Sequence, residues 1–191
     1  GNCDIKDLSR GSKVYFPVYV DGAGLSMGDL HFSQGDGEIT FIGLEICAEV
    51  AARVDLVKGA GIRRPLVETD HHWVTTGEGD DLGDAARMAA NEMVDLLQAR
   101  LELSFEEAYM LMSAAVDVQI CQCCEPGEFP VTTRAVVSRD LVPEVQLAGE
   151  DRPTYVFALC GGEEGEYVCD AFGIAEGLAC PDDGGLNIFA T

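Results

Sequence analysis

The chain has 191 residues, of which 47% are hydrophobic and 24% charged, and its 34 acidic residues against 12 basic ones give a formal net charge of −22. That length can bury a sizeable core in one large domain or two small ones, and no apolar run approaches the length needed to span a membrane. A polyanion with only Lys6, Lys13 and Lys58 as lysines is unsuited to nucleic acid or an anionic membrane surface, because neutralising phosphates needs clustered Lys and Arg.

In chain order, Ser12 to Val20 reads as an edge strand, since Pro17 lacks a backbone N–H, and Asp21 to Gly24 is the turn after it. Residues 26 to 38 follow, with Asp29, His31, Asp36 and Glu38 packed among Gly28, Gly35 and Gly37. Asp29 and His31 are two apart and share a face in an extended segment. Gly35 and Gly37 flank Asp36 and permit a sharp turn or close approach to a ligand. Residues 39–47 and 49–57 each read as strands, the second with Val50, Ala52, Val54 and Leu56 on one side, and residues 71–75 form a further short strand.

From Leu82 the period changes. Leu82, Ala86, Ala89, Met93, Leu96, Leu97 and Leu101 recur at helical spacing, with Asp80 or Asp81 as cap. Ser104 and Glu107 form a capping box opening a second helix, whose expected buried stripe is Phe105, Ala108, Tyr109, Met112 and Ala115. Residues 117–124 and 131–137 return to strand character around a turn at 125–128, and residues 155–160 and 167–169 are later strands. The predicted class is α+β: a mainly antiparallel β-sheet or sandwich with one helical hairpin packed against it. Eight cysteines are present, but the Cys121-Gln122-Cys123-Cys124 group lacks the paired C-x-x-C spacing of a structural zinc site. They read as reduced, mostly buried thiols of a cytoplasmic protein.

Several words of the sequence closely resemble the acetamidase/formamidase family, with the formamidase branch nearest. They are Gly1-Asn2-Cys3-Asp4-Ile5-Lys6, Gly11-Ser12-Lys13-Val14-Tyr15 with Pro17-Val18, Gly28-Asp29-Leu30-His31, and Gln34-Gly35-Asp36-Gly37-Glu38. Val54 to Gly59, Thr75-Thr76-Gly77 and Leu103 to Tyr109 continue the same order. The resemblance covers residues 1–140, read as the catalytic region, with 141–191 as a C-terminal β or irregular extension of the same domain. It implies hydrolysis of a small linear amide to ammonia and a carboxylate, a divalent metal such as zinc, and a homo-oligomer. It also implies that the chain corresponds to the C-terminal half of such an enzyme, whose N-terminal half would be a partner.

An amide hydrolase must activate water, polarise the carbonyl and protonate the departing amine. No Gly-x-Ser-x-Gly elbow marks a serine nucleophile, which leaves carboxylate- and metal-assisted attack of water. Glu38 is the expected general base and proton shuttle, and Asp29 and His31 the expected metal ligands. Without a metal, His31 becomes general acid with Asp29 orienting it. Asp36 is placed with the catalytic set, and Gln34, Asn2 and Asp4 with substrate or supporting contacts. Gly35 and Gly37 offer backbone N–H groups to a developing oxyanion. The competing readings are a non-catalytic binding or assembly subunit of the same fold and a cyclic-amide (lactam) hydrolase.

Overall fold

The computed structural model describes residues 4–21, 23–124, 128–142, 153–159 and 186–190, the last two segments by backbone alone. Asn2, Cys3, Cys160, Cys169, Cys180, most of the 125–128 turn and the expected strand at 167–169 lie outside the described residues. The strands are β1 (Lys13–Pro17), β2 (Leu25–Ser33), β3 (Leu44–Glu45), β4 (Ala52–Lys58), β5 (Leu66–Glu68) and β6 (His72–Gly79). After them come α1 (Leu82–Leu101), α2 (Phe105–Ala115), β7 (Val116–Gln122), β8 (Val131–Ser138), β9 (Pro153–Leu159) and β10 (Leu186–Ala190). A seven-stranded sheet runs β4-β9-β1-β5-β6-β8-β7 and a three-stranded sheet runs β10-β2-β3. Every strand pairing is antiparallel, and the α+β class with one helical hairpin holds.

Alternation along the strands divides the large sheet into two faces. Val14, Phe16, Val67, Val74 and Val136 pack with Ile5, Leu8 and Cys121 on one side, where Leu30 of β2 also rests. Tyr15, Leu66, Trp73, Ala135 and Val137 pack on the other, against Ala89, Met93, Val94 and Leu97 of α1 and Ala108 of α2. The small sheet and the helical hairpin therefore lie against opposite faces of the seven-stranded sheet. Asp81 caps α1 by accepting the Asp84 N–H at 2.9 Å. The capping box forms as expected, with Ser104 Oγ accepting from Glu107 N and Glu107 Oε2 from Ser104 N.

Three expectations are corrected. β1 is an interior strand, between β9 and β5; Pro17 is tolerated because the β5 partner ends opposite Tyr15, leaving only β9 alongside. The segment 39–47 is strand only at Leu44–Glu45, because Phe41 N–H donates to Glu38 O, and Glu38 and Phe41 both have positive φ. Its β-branched run is outside the core, with Ile39 74% and Ile42 63% exposed. In α2 only Ala108 is buried; Phe105 and Tyr109 are 54% and 61% exposed and stack on each other at 5.6 Å. The four described cysteines form no disulfide with one another, but only Cys121 is buried and Cys47 is exposed. Among the described residues no helix is long and apolar enough to cross a membrane.

Candidate functional site

β2 brings the polar run together through an irregular backbone. Its pairing with β10 steps from Leu30 opposite Leu186 to Gly28 opposite Asn187, so Asp29 is an extra residue with no opposite number. Asp29 has φ 56, the left-handed region that L-residues enter at a cost. Such a bulge bends the strand and re-aims a side chain. On its other edge β2 sets His31 directly opposite Glu45 of β3.

His31 is the centre of the cluster. Its side chain is 1% exposed, and its Nε2 lies 3.0 Å from Glu45 Oε1, 3.4 Å from Asp29 Oδ1 and 3.8 Å from Glu38 Oε1. On the other side of the ring, Nδ1 faces Gln34 Oε1 at 3.2 Å, while Gln34 Nε2 donates to the carbonyl oxygen of Asp4 at 3.1 Å. That second bond assigns the Gln34 amide: its oxygen must face the imidazole, so Nδ1 carries the hydrogen. In the neutral ring, Nε2 then turns a lone pair toward three carboxylates. Burial works against charging His31, but the Gln34 hydrogen bond and the charges of Glu45, Asp29 and Glu38 outweigh it and raise its pKa. Gly43 fits against this ring, since a Cβ there would lie 2.8 Å from His31 Cγ and Nδ1.

Glu38 is buried, with φ 41. Burial raises its pKa above the ordinary glutamate value, opposed by the hydrogen bond from Gln122 Nε2 to Oε2 at 2.8 Å and by His31. A carboxyl group shifted upward holds a proton more readily than an exposed glutamate, which suits it to proton exchange.

The other expected residues divide. Asp36 is bound to Arg134 Nη2 at 2.8 Å and to Lys6 Nζ at 3.1 Å, which lower its pKa against the opposing effect of burial. Arg134, 1% exposed, also meets Asp7 and Gln119 and donates to the Ile120 carbonyl. These contacts tie the Asp36 loop to β7 and β8. Gly37 N–H donates to Cys121 O at 3.0 Å, and Cys123 N–H donates to Gly37 O at 2.8 Å. The Gly37 N–H is thus engaged by β7 and not directed at an oxyanion, a correction to the expectation. Gly35 contributes its carbonyl to the turn, accepting from Glu38 N. Asp4 meets the site through its own carbonyl oxygen, and Asn2 lies outside the described residues.

Asp29, His31 and Glu45 each offer one ligand atom, and these atoms all lie within 4.8 Å of one another. His31 Nε2 is buried and makes no well-directed hydrogen bond of its own. One imidazole and two carboxylates around such an atom are a donor set that fits a divalent cation. Asp29 and Glu45 are each 49% exposed, leaving the cluster open on one side.

Glu45, Gln122 and Arg134 are the residues that sequence reasoning missed. Glu45 reaches His31 only through the β2–β3 register, and Gln122 reaches Glu38 from the end of β7. An acidic residue inside an otherwise apolar short strand was the available signal for Glu45.

The chain is 58% identical over 73 residues to the formamidase of Methylophilus methylotrophus, covering 36% of this chain and 18% of that protein. It is 58% identical over 60 residues to the acetamidase of Mycolicibacterium smegmatis, covering 31% of this chain and 15% of that one. The crystal structure of an acetamidase from Yersinia enterocolitica superposes with a TM-score of 0.70 at 31% identity, over 75% of this chain and 43% of that chain. An acetamidase from Bacillus halodurans gives 0.60 at 34% identity, over 73% and 46%. The chain thus spans less than half the length of these solved relatives. The model of the Acetamidase/Formamidase family matches residues 1–136, a stretch that contains the His31 cluster and both helices, and the chain belongs to that family.

Proposed function

We propose that this chain carries the proton-transfer centre of a hydrolase that cleaves small linear amides to ammonia and a carboxylate. The observation that carries the reading is the buried Glu38 carboxylate, 3.8 Å from a His31 nitrogen that also faces Asp29 and Glu45. Its relatives' names, formamidase and acetamidase, support the substrate class.

Asp29, His31 and Glu45 are the residues that would hold a divalent cation such as zinc. When bound, such an ion polarises a carbonyl and acidifies water. Gln34 holds the His31 ring with Nδ1 protonated and Nε2 presented to the cluster. Glu38 takes a proton from the attacking water and returns it to the departing nitrogen. Gln122 fixes one Glu38 oxygen, leaving the other toward the cluster. Asp36 acts through position: with Arg134 it holds the 35–38 turn against β7.

A homo-oligomer in a reducing cytoplasm completes the reading. The exposed aromatics of α2 support the oligomer, and the lack of a disulfide among the described Cys47, Cys121, Cys123 and Cys124 supports the compartment. The test is ammonia release from formamide and acetamide, with Glu38→Gln alongside, by the chain alone and with the N-terminal portion of a relative supplied. Glu38→Gln is expected to lose about 10²–10⁴ of the rate. Equal release by the two proteins would remove Glu38 from the chemistry.

A further inference from the structure

Across the large sheet from the His31 cluster, a cavity of about 120 Å³ lies between the 60–65 loop and the C-terminal half of α1. Three of its lining side chains are Arg63, Arg64 and Arg100, a concentration of guanidinium groups in a chain whose net charge is −22. Two are already paired: Arg63 with Glu92 and Asp95, and Arg64 with Glu78 at 3.0 Å. Arg100 differs. No acidic side chain among the described residues pairs with it, and its Nε is buried without a hydrogen-bond partner.

A partly buried guanidinium without a counter-charge is costly, and burial pulls its pKa below the ordinary arginine value. Its place in the last turn of α1 sets it near the helix's carbonyl end, a favourable but weak interaction. Glu92, Asp95 and Glu78 already face Arg63 and Arg64, so the one guanidinium left for an anion is the single charge of Arg100. That balance suits a monoanion and opposes a doubly charged phosphate. A planar carboxylate matches the guanidinium fork in a way that a spherical halide does not. Since a single water needs about 10–15 Å³ of such space, the cavity can admit an anion of a few heavy atoms.

We propose that this cavity binds a small free monocarboxylate of the size of formate or acetate, anchored by Arg100. The site is separate from the His31 cluster, and its test involves no turnover, so its failure and the failure of amide hydrolysis are distinguishable. Isothermal titration at constant ionic strength would compare formate and acetate with chloride and phosphate. The expected result is saturable binding of the carboxylates to the wild type, weakened about tenfold to hundredfold in Arg100→Met and unchanged in Arg87→Gln. Arg100→Lys, which keeps the charge and loses the planar fork, is expected to fall between. Absence of saturable binding, or binding undiminished in Arg100→Met, would overturn the proposal. Sedimentation in the same titration separates the sources of the carboxylate. Acetate that binds only by dissociating associated copies would assign the cavity to an acidic side chain of a second copy, and would overturn the free-ligand reading.

Discussion

At the scale of single residues, the site depends on groups that do no chemistry. Gln34 reads the Asp4 carbonyl with its nitrogen and the His31 ring with its oxygen, and Gly43 closes the other side. The clash a Gly43 Cβ would make at 2.8 Å is with the ring itself, and a second lies 3.0 Å away at the Ser33 carbonyl oxygen. Gly43→Ala is therefore expected to turn His31 off its carboxylates and, on the proposed function, to lower ammonia release by about 10- to 100-fold. Unchanged turnover would show that the ring tolerates the displacement. Asp29, His31, Gln34 and Glu38 were legible because they stand in one run of polar residues that no core would use. Glu45 was not, because opposite numbers across a strand pair have no signature in linear spacing. Nor did spacing show that Arg134 would occupy Asp36.

At the scale of elements, period and caps were legible and edges were not. The helices announced themselves through helical spacing and the Ser104–Glu107 box, since both signals are local. The position of β1 inside the sheet depends on β9, far along the chain. The strand expected at 39–47 failed because two left-handed residues, Glu38 and Phe41, override the β-propensity of Ile39 and Ile42. Of the stripe expected to bury α2, Ala108 packs against α1 and the sheet, whereas Phe105 and Tyr109 lie on a face that they do not cover. Thr75 and Gly77 show the reverse, a short word with a packing cause. Thr75 Oγ1 donates to Ala89 O at 2.8 Å, and a Cβ on Gly77 would lie 2.2 Å from Ala85 O and 2.4 Å from Ala89 N. These are backbone atoms and cannot swing away. Gly77→Ala is expected to lift α1 from β6 and cost at least about 1–3 kcal/mol, measured as a lower urea midpoint. A midpoint within error of the wild type would mean that α1 can shift freely.

At the scale of the molecule, charge and self-repulsion dominate. The exposed ion pairs, such as Arg53 with Asp55 and Arg87 with Asp84, are each worth about 0–1 kcal/mol. A net charge of −22 repels itself over the whole surface, with a screening length of about 10 Å at 0.1 M salt. Repulsion should outweigh the pairs, so raising sodium chloride from about 0.05 M to about 0.5 M is expected to raise the thermal midpoint. A falling midpoint would show that the ion pairs carry more than their exposure suggests.

The extra residue in β2 carries a consequence for how the protein divides stability from activity. Asp29 interrupts the β10–β2 ladder with a left-handed residue, and the His31–Glu45 pairing on the other edge does not require it. Deleting Asp29 alone should let the ladder close into regular register and remove the strained residue. The shortened protein is expected to be at least as resistant to urea as the parent, yet to lose ammonia release. Evolution would then have kept a faulty strand over a sounder one, and the surplus stability of the deletion would measure what the carboxylate costs the fold.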